Sequence, residues 1–223
     1  MIKNIYLIRH GQSHGNVDRK AYELFPDYAI RLTKVGAEQA RKAGEILNKV
    51  EGNFHVFLSS YFRTRQTLDY LTQTLGEERI LSRAESCNLR EQEWNGLRLS
   101  PYDNDAEVFR NGVGSYYYRF DNAESGADVF NRVVLFHELF ARPLMEKEDG
   151  NLLIVTHGFA MRVYLKYLLG QTVEEFEMVR NAKNAEIFHL QLNDETGGFE
   201  LKTDLNIRPK RTSRFHYDKN DLA

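Results

Sequence analysis

Ile5-Tyr6-Leu7-Ile8-Arg9-His10-Gly11-Gln12-Ser13-His14-Gly15-Asn16 is the stretch that decides how this chain is read. A short apolar run enters a polar segment punctuated by glycine, the pattern of a strand delivering a loop. In open α/β sheets, loops at the carboxyl ends of strands are where ligands bind. This loop carries a fixed cation in Arg9, an imidazole in His10, two glycines and an amide. That set suits a cluster of anionic oxygens such as phosphate.

Two further segments repeat the design. Leu152–Val155 enters Thr156-His157-Gly158, and Phe54–Leu58 enters Ser59-Ser60, followed by Arg63 and Arg65. Ile2–Ile8 reads as the first strand and Ile80-Leu81 as a short one. Helical patterns run over Ala37–Val50, with Thr33 as its N-cap, over Tyr61–Gly76 and Ala127–Met145, and over Phe159–Leu169 before Gly170. Ala185–Leu192 and Phe199–Leu205 alternate as a late strand pair joined through Gly197-Gly198. Strands alternating with helices predict an α/β fold, a three-layer α/β/α sandwich with a mostly parallel central sheet. One domain is expected over residues 1–223. It would carry a cap-like insertion at about 95–130, rich in Tyr102, Phe109, Tyr116, Tyr117, Tyr118 and Phe120, and a basic tail at about 206–223.

Composition narrows the function classes. Of 223 residues, 42% are apolar, enough for a substantial core, and the formal net charge is −2, which supplies no overall attraction to nucleic acid or anionic membrane. No apolar stretch approaches the roughly 20 residues of a membrane span. Ile5–Ile8 is too short for a signal-peptide core, and Arg9 interrupts it. The single cysteine, Cys87, excludes an internal disulfide and fits a reducing compartment, so a cytoplasmic protein is expected.

Four motifs together resemble the histidine phosphatase superfamily, the phosphoglycerate mutase-like family. They are Arg9-His10-Gly11, then Ser59-Ser60-Tyr61-Phe62-Arg63-Thr64-Arg65-Gln66-Thr67, then Leu89-Arg90-Glu91-Gln92-Glu93-Trp94-Asn95-Gly96, and finally Thr156-His157-Gly158. The resemblance implies phosphoryl transfer through a phosphohistidine on His10, with no metal and no cofactor. It implies Glu91 as proton donor, Glu93, two residues on, being the competitor. Arg9, Arg63 and His157 would complete the catalytic set, His157 as an imidazolium. Arg9, Gly11, Gln12, Asn16, Arg63, His157 and Gly158 would hold the phosphate. Chemistry supports these roles: guanidinium forks match phosphoryl oxygens, and an imidazole is a good nucleophile near neutral pH. The chain departs from the common pattern at Gln12, where many members carry Glu.

The interval from Glu91 to His157 is short for a mutase and lacks a cluster of cations; Arg98, Arg110 and Arg119 are scattered. The expected activity is therefore that of a phosphomonoesterase acting on a small-molecule phosphate ester. The alternatives are a cofactor-dependent phosphoglycerate mutase and a non-catalytic phosphate-binding module. His10 and His14 have the spacing of a helical zinc pair, which the glycines argue against. Arg65 reads as peripheral. Tyr116–Tyr118 suits a substrate lid or a packed wall equally, and Glu124-Ser125-Gly126 reads as the cap of the following helix. Arg208-Pro209-Lys210-Arg211 with Arg214 reads as a solvated tail. His55, His137, His189 and His216 carry no functional signal. An exposed edge strand from the late pair could support a homodimer.

Overall fold

A computed structural model describes residues 1–94, 110 and 112–208. Asn95, Gly96, Arg98, Tyr102, Phe109 and the tail from Pro209 onward, with Arg214 and His216, lie outside the described residues. So does the first half of the expected cap.

Six strands form one sheet, in the order β3-β2-β4-β1-β5-β6. They are β1 (Asn4–Arg9), β2 (Phe54–Leu58), β3 (Ile80–Glu85), β4 (Asn151–Thr156), β5 (Ile187–Leu192) and β6 (Phe199–Leu201). The first four run parallel, while β5 is antiparallel to β1 and β6 antiparallel to β5. This is the expected α/β architecture with a mostly parallel sheet.

Strand periodicity divides the core in two. Ile5 and Leu7 of β1, with Leu152 and Ile154 of β4, face one cluster, which includes Val129, Val133 and Phe136 of α5 (Gly126–Phe136) and Val163, Tyr164 and Leu165 of α7 (Gly158–Leu168). Tyr6, Ile8, Leu153 and Val155 face the other, against Ala43 and Leu47 of α3 (Lys34–Leu47) and Leu68, Leu71 and Leu75 of α4 (Phe62–Leu75). Successive side chains point to opposite faces, so a strand covered on both sides must be apolar throughout. Every residue of β4 is buried. Each large aliphatic so placed contributes about 1.5–3 kcal/mol.

Thr33 is the N-cap of α3, its hydroxyl accepting from Gly36 N at 3.0 Å. Several elements differ from the sequence reading. Short helices α1 (His14–Val17) and α2 (Ala21–Leu24) follow the opening loop, so His10 and His14 do not share a helix. The helix expected over Ala127–Met145 is interrupted by a π turn at His137–Ala141 before α6 (Arg142–Lys147). Pro143 supplies the physical reason: it has no N–H to continue the ladder, and a wider turn absorbs the break. Residues 202–205 do not extend β6, and α8 (Val173–Met178) precedes β5.

Candidate active site

Parallel order places the carboxyl ends of β1, β4 and β2 side by side, since Arg9 pairs with Thr156 and Leu58 with Val155. The three sequence-predicted strand ends therefore converge. His10 N donates to Thr156 O at 2.9 Å, and Ser59 N to Val155 O at 3.0 Å. Gly11 is required by a close approach: a Cβ there would stand 2.3 Å from Gly36 O, so the loop is pressed against the start of α3. Gln12 is drawn the same way, its side-chain oxygen accepting from the Thr33 hydroxyl at 2.8 Å. Gly11 and Gln12 thus brace the loop against α3 rather than line the cavity.

His10 is buried, and its Nδ1 lies 2.7 Å from Gly11 O. A carbonyl only accepts, so Nδ1 carries the hydrogen and the lone pair resides on Nε2. The His157 ring packs edge-on at 5.2 Å between centroids. His157 is fully buried, and its Nδ1 accepts from Arg63 Nε at 3.2 Å while Nε2 lies 2.8 Å from Ser59 Oγ. A guanidinium nitrogen only donates, so His157 stands here as the neutral Nε2–H tautomer. The imidazolium expected from sequence is not the resting form.

Arg63 is 2% exposed despite its charge. Its Nη1 donates to the Asp27 carboxylate at 2.9 Å and the Asp27 carbonyl at 2.7 Å, and its guanidinium lies over the Tyr61 ring. Burial, with Asp27 beside it, pushes the Tyr61 phenol up to about 12. Arg9 donates from Nη1 to Ala182 O at 2.6 Å. Gly158 admits that side chain: a Cβ there would meet Arg9 Nε at 3.2 Å. Ala185 holds a left-handed backbone, φ 57°, from which its amide reaches the carbonyls of Arg9 and His10. A non-glycine residue adopts that conformation at a cost, here offset by two hydrogen bonds to the site's backbone.

Glu91 is buried at the start of α7, its carboxylate accepting from Gln92 N at 3.0 Å, Ala160 N at 3.2 Å and Phe159 N at 3.3 Å. Orphan N–H groups and the helix dipole both favour an acid there. Arg132 of α5 fastens the loop that carries it. Nη1 donates to Asn88 O and Arg90 O at 2.7 and 2.9 Å, and Nη2 to Glu91 O at 3.1 Å. Nε and Nη2 grip Glu124 in a fork, both at 2.9 Å. Burial alone would raise the Glu124 carboxyl, but Arg132, Glu93 N–H and Arg90 together hold it below the usual carboxylate range. Glu124 thus does more than precede the cap. Ser125 is the N-cap of α5, as expected.

A cavity of about 240 Å³ opens over these groups. Arg9, His10, Arg63 and Glu91 reach it from the strand ends and the loops after them, and Gly15, Asn16, Arg19 and Tyr22 from the α1–α2 segment. Trp94, Phe120, Phe159 and Asn181 complete the lining. Asn16 is fixed by Asn184, which donates to its Oδ1 at 3.0 Å. Arg65 pairs with Glu85 at 2.6 Å, away from the lining, and Tyr116 packs in the core among Phe130 and Phe176 while Tyr117 is exposed. Sequence reading missed Arg19, Tyr22, Asn181, Asp27 and Arg132. None belongs to a recognisable short motif, and only the fold brings them to the cavity or to the residues that line it.

The sequence profile of the histidine phosphatase superfamily, branch 1, matches residues 5–204, and the chain belongs to that family. The phosphoglycerate mutase-like protein AT74 of Arabidopsis thaliana is 34% identical over 214 residues, spanning 89% of this chain and 67% of that protein. The broad-range acid phosphatase DET1 of Saccharomyces cerevisiae is 22% identical over 303 residues, spanning 93% and 90% respectively. Among solved structures, a mycobacterial glucosyl-3-phosphoglycerate phosphatase superposes with a TM-score of 0.70 at 25% identity, covering 90% of this chain and 97% of that one. Among the described residues, no helix is long and apolar enough to cross a membrane.

Proposed function

We propose that this chain is a phosphomonoesterase that works through a phosphohistidine on His10, with Glu91 as proton donor. The observation that carries the reading is the 2.7 Å contact between His10 Nδ1 and Gly11 O, which directs the Nε2 lone pair to the nucleophile's task. Nε2 attacks phosphorus and the ester bond breaks. The leaving oxygen takes a proton from Glu91, and the Nε2–P bond forms. Water then attacks the phosphohistidine, giving its proton back to Glu91 and releasing inorganic phosphate. Arg9 and Arg63 neutralise the equatorial oxygens, the main requirement of phosphoryl transfer. Asn16 and, once an anion displaces its contact with Arg63, His157 add hydrogen bonds. Gly158 contributes by letting Arg9 approach. No step needs a metal or cofactor.

The phosphatases among the similar proteins support hydrolysis. Rapid quench with a turned-over ester should trap acid-labile, base-stable phosphate on His10, and His10→Ala should abolish both label and turnover. Full turnover in His10→Ala, with no trapped label, sinks the mechanism. Conversion of 3- to 2-phosphoglycerate outrunning phosphate release would place the chain with the mutases instead. Binding of phosphate without turnover of any ester would make it a regulatory module.

A further inference from the structure

We infer that the site selects phosphate esters whose leaving group is an aromatic ring, or carries one next to the ester oxygen, over short aliphatic esters that lack a ring. This rests on the phosphomonoesterase reading above. Glu91 fixes the side on which the leaving group departs. If its carboxylate serves the leaving oxygen, the group attached to that oxygen must lie on the Glu91 side of the cavity. What stands there is aromatic. Phe159 N donates to the carboxylate itself at 3.3 Å, and Trp94 follows Glu91 by three residues. The Trp94 and Phe120 rings are 5.1 Å apart. The guanidinium carbon of Arg110 lies 4.7, 5.9 and 5.5 Å from the ring centres of Trp94, Phe120 and Phe159, so the three rings form one cluster around a single cation. All three line the cavity that holds His10. A ring entering beside them exchanges water for aromatic contact, whereas a short alkyl group leaves that aromatic surface uncovered.

Benzyl and ethyl phosphate test this, since both leave as aliphatic alcohols and differ in the ring. Burying a phenyl group should raise kcat/KM at least about tenfold for the benzyl ester. Benzylphosphonate and ethylphosphonate, which are not hydrolysed, should show the same ratio in Kd by calorimetry. In Trp94→Ala both ratios should fall toward one; comparing two ligands within one variant removes any general damage to the fold. Equal kinetics and equal binding for the two partners in the native protein overturn the inference, as does a preference for 3-phosphoglycerate over the benzyl ester. Tighter binding of benzylphosphonate with no ester turned over would leave the aromatic subsite standing and sink the phosphatase reading alone.

Discussion

Arg63 Nε donates to His157 Nδ1 at 3.2 Å, joining a helix start to a neighbouring strand end inside the site. The bond fixes the tautomer of an imidazole that sequence alone casts as a cation. A phosphate arriving between them needs donors from both residues, and a proton taken up at Nδ1 as the anion binds would let His157 supply one. Nitrogen-15 spectra of the free protein should therefore show His157 as the Nε2–H tautomer at neutral pH. Saturating phosphate should convert it to the doubly protonated ring. An imidazolium signal before phosphate is added contradicts this geometry.

Asp27 donates no hydrogen to the site but places a negative charge against Arg63, 2.9 Å from Nη1. A dianion bound to the same guanidinium is repelled by it. Asp27→Asn keeps an acceptor oxygen at that position and leaves the backbone carbonyl contact in place. Removing one charge a few ångströms away at protein-like dielectric should tighten inorganic phosphate roughly fivefold. Calorimetry measures it; weaker binding would mean that the carboxylate's orienting role outweighs its repulsion.

Arg132 and Glu124 form a largely buried pair that also grips three carbonyls of the Glu91 loop. Truncation to Arg132→Ala should cost about 3–5 kcal/mol by leaving Glu124 buried without its main partner. Arg132→Lys keeps the charge and loses the fork, so it should fold and yet place Glu91 poorly. Its kcat should drop for alkyl phosphates, which need the proton, and much less for p-nitrophenyl phosphate, which does not. An equal drop for both substrates would assign Arg132 a purely structural part.

The same pair sets an acid limit. Glu124 is held below its ordinary value near 4.5, so its contribution to stability is present above that pH and is lost as pH falls through the depressed value. Glu124→Gln should flatten the decline of Tm in acid below about pH 4.5.

His137 gives a second, higher window. Burial beside Tyr164 pushes its imidazole down to about 4 from 6.5. Between those values the unfolded chain binds the proton and the folded chain does not, so stability falls as pH drops from 6.5 to 4. The total is on the order of 3 kcal/mol. Thermal melts of His137→Gln across that range should show a shallower slope than the native protein.

Much of the fold was written in local pattern. The apolar runs at Ile5–Ile8, Phe54–Leu58 and Leu152–Val155 marked three strands, because a strand buried on both faces has few polar positions to confuse the reading. Short motifs named Arg9, His10, Arg63, Glu91 and His157, since each sits within a few residues of a strand end or a turn. Local pattern could not place a π turn at His137–Ala141 ahead of Pro143, nor show that Gly11 faces Gly36 across 25 positions of sequence. It could not assign Asp27 to Arg63, Arg132 to the Glu91 loop, or Trp94, Phe120 and Phe159 to one wall. Those relations depend on side chains from separate elements meeting at the common edge of four parallel strands. The protonation of His157 belongs with them: an isolated imidazole titrates near neutrality, and only the guanidinium set against its Nδ1 by the folded sheet decides which nitrogen holds the hydrogen.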